Sequence, residues 1–256
     1  MERIVSVCQG NTAVNCIISV PEGIPVRRVV LGVHGFAGSA RDDIQENIAE
    51  EMGLFGSATV RFDLPAHGES PVDALSVEPC IDSLYAAACC AKEQFPDVED
   101  LCIFATGFGA YITLLALQDL KELPGRLRLV IQTPSVLMHE TLLSMLQMSP
   151  QTFRAMDRTV LPTPRPLEVT YDFYKETLRD HAIINHNMPM LILHGENDDF
   201  IPMEHIRQFH EANEKAKLVI IPGATHRFKE PGAWDMVLDL TRDWFEFEQV
   251  LLSDWS

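Results

Sequence analysis

Several signals that would classify the chain at a glance are missing from its 256 residues. No run approaches the roughly 18 consecutive apolar residues of a membrane span. The opening MERIVSVCQGNTAVNC places acidic and polar residues where a secretory signal needs an unbroken apolar core. Positive charge is scarce. With 20 Lys and Arg against 37 Asp and Glu the net charge is −17, which repels phosphate backbones and anionic lipid and argues against nucleic acid and membrane partners. The cysteines at 8, 16, 80, 89, 90 and 102 form no CxxC pair and no zinc ligand set. They are expected as reduced, mostly buried thiols of a cytoplasmic protein. His181 and His186, like His205 and His210, stand five apart and do not share a helical face, so no metal site is expected. Repeats and low-complexity tracts are absent too.

What is present is an ordinary globular composition, 46% hydrophobic and 22% charged, in a chain long enough for one large α/β domain or two smaller ones. Periodicity alternates between strand and helix. Residues 3–8 and 13–20 flank the turn-like Gln9-Gly10-Asn11 and read as a hairpin. Strands are then expected at 28–33, 57–62, 100–105, 127–132, 190–193 and 217–221, and helices at 42–53, 78–95, 109–120, 203–213 and 233–250. Strands separated by helices imply right-handed crossovers, hence an eight-stranded, mainly parallel sheet with helices on both faces. Between Pro134 and Pro189 the alternation stops for about fifty residues, too long for a plain loop in a compact domain. Met138, Met145, Met148 and Met156, a proline cluster at 162–166 and a helix-like 171–179 lie there. Adaptable methionines suit a helical lid over an apolar pocket, or simply pack the insertion onto the sheet.

Four short motifs follow predicted strands, at the ends where open α/β sheets place their sites. They are His34-Gly35-Phe36-Ala37-Gly38, then Asp63 to Ser70 with His67-Gly68, then His194 to Pro202 with Asp198 and Asp199, then Pro222 to Phe228 with His226. Singly each is weak; their order across the chain is specific. Together they resemble the α/β-hydrolase superfamily over essentially the full length. Within it the pattern is similar to single-domain carboxylesterases, including the cinnamoyl (feruloyl) esterase-like and serine aminopeptidase-like groups with a helical lid. The resemblance implies one domain over 1–256, with a lid insertion at about 134–188. It implies an acid at Asp198, which stands four residues before Pro202 as the family pattern asks, and a base at His226. It also implies oxyanion amides at Phe36 and Phe108, and no cofactor.

The same resemblance requires a nucleophilic serine on a strand-to-helix turn written G-x-S-x-G. The matching segment here is Ala105-Thr106-Gly107-Phe108-Gly109, so Gly107 occupies the serine position. Physics favours this alignment, because the elbow is strained for any residue with a Cβ and glycine enters positive φ freely. Thr106, one step back along the strand, is expected to point to the opposite face. Ser39 and Ser70 read as solvated loop residues. The expected pocket comprises Gly35, His67, Met138, Met145 and Phe200. The implied function is carboxylic-ester hydrolysis through an acyl-enzyme, in a chain inactive or nearly so for want of its serine. The alternative is a pseudoenzyme that binds a small molecule. The expected partner is a neutral, partly apolar ester or acyl compound, and an exposed lid face would support a homodimer.

Overall fold

Short buried apolar runs bounded by turns organise the chain around a sheet, in a computed structural model that describes residues 1–9 and 12–253. Gly10 and Asn11 of the expected opening turn therefore lie outside the described residues. In chain order the first half runs β1 (Glu2–Gln9), β2 (Thr12–Ser19), β3 (Arg28–Val33), α1 (Asp43–Leu54), β4 (Ser57–Phe62), α2 (Val77–Gln94), β5 (Asp100–Thr106), α3 (Gly107–Leu115), α4 (Leu117–Leu120) and β6 (Arg126–Gln132). The second half runs α5 (Met138–Leu146), α6 (Pro150–Met156), β7 (Arg158–Leu161), β8 (Leu167–Thr170), α7 (Tyr171–Arg179), β9 (Met190–Gly195), α8 (Met203–Glu211), β10 (Ala216–Ile221) and α9 (Ala233–Ser253).

Eight of these strands form one sheet in the order β1-β2-β4-β3-β5-β6-β9-β10. Only β1 and β2 run against their neighbours; β3, β4, β5, β6, β9 and β10 are mutually parallel. The chain leaves β3 outward to β4, then returns to the other side of β3 with β5. That reversal puts a crevice beyond the carboxyl ends of β3 and β5, where such sheets hold ligands.

Strand side chains alternate between the sheet faces. Val29, Leu31 and Val33 of β3, with Ile103 and Ala105 of β5, join the large core under α2, α3 and α8. Val30, Cys102, Phe104 and Val130 face the other way, onto Ile48 and Met52 of α1 and Val237 and Trp244 of α9. Both faces are covered, which is why β3 and β5 read as near-continuous apolar runs; β4 alternates polar and apolar residues yet is buried throughout.

The segment between β6 and β9 differs from a purely helical reading. Besides α5, α6 and α7 it contains the antiparallel pair β7–β8, whose turn is the proline cluster at 162–166. Proline supplies no N–H to a ladder but fixes φ in a turn, so the cluster ends β7 instead of breaking a helix. Ser149 caps α6 by accepting from the Thr152 amide, with Pro150 in the first turn, and Thr170 caps α7 through the Phe173 amide. Met138, Leu142, Phe153, Val169 and Phe173 carry the segment's apolar faces into the large core. Met156, by contrast, is 47% exposed. The expected helix at 109–120 starts two residues earlier and is interrupted at Ala116, giving α3 and α4.

Candidate active site

The loops after β3, β5, β6, β9 and β10 converge on one cavity of about 1030 Å³. At its floor β5 turns into α3 through Gly107, whose φ is +48°, in the left-handed region where side chains are strained. The Ser135 amide donates to the Gly107 carbonyl at 3.1 Å. Two residues on, a Cβ at Gly109 would stand 2.3 Å from the His34 carbonyl oxygen and 2.7 Å from that of Val33. Only glycine allows that approach, and it presses α3 against the end of β3. At Gly107 itself a Cβ would meet nothing nearer than Gly35 Cα and Ser135 Oγ, both at 3.9 Å. The elbow therefore has room for a side chain it does not carry.

Opposite it, His226 lines the cavity and its Nδ1 donates to Asp198 Oδ2 at 2.9 Å. The Asp198 side chain is fully buried, and its other oxygen accepts the Phe200 and Ile201 amides at 2.9 Å each. Burial pushes the Asp198 carboxyl up, but the bonds from His226 and the two amides outweigh it and hold the group below the ordinary carboxylate range. With Nδ1–H committed to the carboxylate, the lone pair of His226 sits on Nε2. Asp199, the competing acid, is exposed. Two glutamates brace this pair: Glu230 accepts from the Thr225 amide and hydroxyl, and Glu196 accepts from the Gly223 amide. Neither glutamate is flagged by any pattern in the sequence; each is an ordinary acidic residue in a polar loop.

Gly35, Phe36, Gly107, Phe108, Met138, Met145, Phe200 and His226 all line the cavity, and the Phe200 ring lies 5.1 Å from the His226 ring. Phe108 occupies the first turn of α3, so its amide has no intrahelical acceptor. Its ring is buried, edge-on to Phe36 at 5.4 Å and to Phe173 of α7 at 5.9 Å.

His67 does not line the cavity. It is buried beneath the Phe36 and Phe108 rings, with Nδ1 donating to the Pro65 carbonyl, and burial drops its pKa to about 3. His34 donates from Nδ1 to the Gly35 carbonyl and accepts the Leu64 amide at Nε2, which fixes it as a neutral strut. Thr106 does line the cavity, contrary to the face expected of it, because the strand is already bending into the elbow. Ser39 and Ser70 are engaged within their own loops. The rim is more charged than an apolar pocket, with Arg41, Asp42, Asp43 and Lys229 around it. Ser135, unmarked in the sequence, sits on the cavity wall 4% exposed.

A doubly covered parallel sheet, its first antiparallel strands, the elbow at the switch point, and an acid–histidine pair after the last two strands decide the architecture. The chain has the α/β-hydrolase fold. The model of the dienelactone hydrolase family matches residues 162–240, from the β7–β8 turn through the acid–histidine pair. No curated protein matches the sequence. Among solved α/β-hydrolases, Est1E from Butyrivibrio proteoclasticus with ferulic acid bound is 19% identical, over 96% of this chain and 99% of that one, with a TM-score of 0.80. The dienelactone hydrolase from Anabaena variabilis is 23% identical, over 96% and 97%, at 0.62. XC6422 from Xanthomonas campestris, described as a serine hydrolase without a lid, is 17% identical, over 95% and 94%, at 0.65. Among the described residues no helix is long and apolar enough to cross a membrane.

Proposed function

We propose that the chain is a carboxylic-ester hydrolase scaffold whose acyl-enzyme serine position is held by Gly107. The observation that carries this reading is the His226–Asp198 hydrogen bond, 2.9 Å long, on a cavity whose floor is a positive-φ elbow with open space above it. In the proposed site His226 Nε2 is the general base, Asp198 holds its tautomer and supports the imidazolium, and the Phe36 and Phe108 amides receive the oxyanion. The segment 134–188 acts as a lid, through Met138 and Met145. The structures with ferulic acid and other small molecules belong to relatives, and support a small acyl or aryl ester as substrate class here.

A single substitution tests this. Gly107→Ser is expected to label with a fluorophosphonate at residue 107. It should also raise short aryl ester turnover at least about 10³-fold, since losing the serine in subtilisin costs on the order of 10⁶. A Gly107→Ser chain that folds yet neither labels nor turns over ester ends the hydrolase reading. It would favour instead a binding module, a reading supported by the absent hydroxyl itself; an acyl ligand measured calorimetrically on the original chain would then carry it.

A further inference from the structure

The space left by the missing side chain has a hydroxyl on its other wall. Ser135 Oγ stands 3.9 Å from where a Cβ on Gly107 would be, so a hydroxyl on residue 107 and the hydroxyl of Ser135 would occupy adjoining positions. Ser135 is held there by its own backbone: its amide donates to the Gly107 carbonyl, and Val136 beyond it accepts from Ala182. It lies past the end of β6, strand neighbour of β5, and lines the cavity with His226. Other hydroxyls at this rim are placed differently. Ser39 and Ser70 bond within their loops, and Thr106 Oγ1 lies toward Gly35, 3.4 Å from the position of a Cβ there.

We propose that Ser135 is the surrogate nucleophile of this chain. The inference rests on the hydrolase reading above. Ser135 Oγ attacks the ester carbonyl carbon while its proton passes to His226 Nε2. The tetrahedral adduct collapses, expelling the alcohol, which takes that proton, and the acyl group remains on Ser135 Oγ. Water then attacks the same carbon, giving a proton to His226. Collapse releases the carboxylic acid, and Ser135 Oγ recovers its proton from His226. Atoms balance as ester plus water giving acid plus alcohol.

The test is fluorophosphonate labelling of the original chain, in which the serine oxygen displaces fluoride, followed by peptide mapping. The expected result is a label on Ser135 that disappears in Ser135→Ala and in His226→Ala, with aryl ester turnover lowered about tenfold or more in Ser135→Ala. Should Ser135→Ala fail to fold, the mapped position in the original chain decides. A label elsewhere, Thr106 included, overturns the proposal. So does no label in the original chain when Gly107→Ser labels at residue 107, and in that case the hydrolase reading stands. No label in either chain overturns both.

Discussion

Individual residues here carry distinct tasks that chemistry separates cleanly. Asp198 is acceptor only, and both of its oxygens are engaged: two amides on one, His226 on the other. An asparagine would keep its oxygen toward the Phe200 and Ile201 amides and turn its NH₂ toward His226, forcing the ring into the wrong tautomer. In the Gly107→Ser background, Asp198→Asn is therefore expected to lower kcat about 10⁴-fold with the melting temperature little changed. Stopped-assay kinetics beside thermal melts would check it; an equal fall in stability and rate would mean that Asp198 only holds the loop. The Asp198–His226 pair was legible in the sequence because spacing to Pro202 and position after successive strands identify it. The site's remaining polar partners were not. Ser135 and Glu230 are ordinary residue types in loops, and only folding brings them to the cavity. His67 was misread for the converse reason: a histidine beside glycine looks like a rim residue, yet its ring packs under Phe36 and Phe108.

Elements are where the sequence spoke most clearly. A strand covered on both faces is a short apolar run with sharp ends, and β3 and β5 fall where such runs do, while β4 shows itself by strict alternation. The β7–β8 pair escaped notice because four-residue strands with alternating exposure give too little period to detect, and the prolines between them read equally as linker. The junction of β5 with α3 makes a sharper demand. Gly109 lies against the carbonyls of His34 and Val33, which are backbone and cannot swing aside as a flexible side chain would. Gly109→Ala is expected to separate α3 from the end of β3 and destabilise the fold by about 3 kcal/mol or more, read as a lowered urea midpoint. Gly53→Ala, with open space around its Cβ, is the matched control and should leave that midpoint unchanged or raised.

At the scale of the whole molecule, buried histidines set how the protein responds to acid. His34, His67 and His194 are all buried, and burial lowers each pKa, that of His67 from an ordinary 6.5 to about 3. The unfolded chain takes up protons at these positions below about pH 6.5 while the folded chain does not. Their contribution to stability is thus fully present above that pH and is lost as pH falls toward the folded values. Thermal melts across pH 7 to 4 should show this decline. His67→Phe, which keeps a ring under Phe108, should flatten it by up to about 1.4 kcal/mol per pH unit. An unchanged slope would show that other groups set it. The acidic surface works against this trend, since a charge of −17 at neutrality, and the self-repulsion it brings, is progressively titrated away toward the pI near 4.8.

The elbow's left-handed turn is imposed from its surroundings: the Ser135 amide holds the Gly107 carbonyl, and Gly109 is wedged against the end of β3. The bend is therefore shaped from outside, while glycine at its apex spares it the strain of a positive φ. A shape made by neighbours does not need rebuilding when its apex residue is exchanged, so residue 107 can be varied on an unchanged backbone. A side chain arriving there would inherit a ready-made posture, and would bring only its own strain of about 1–2 kcal/mol.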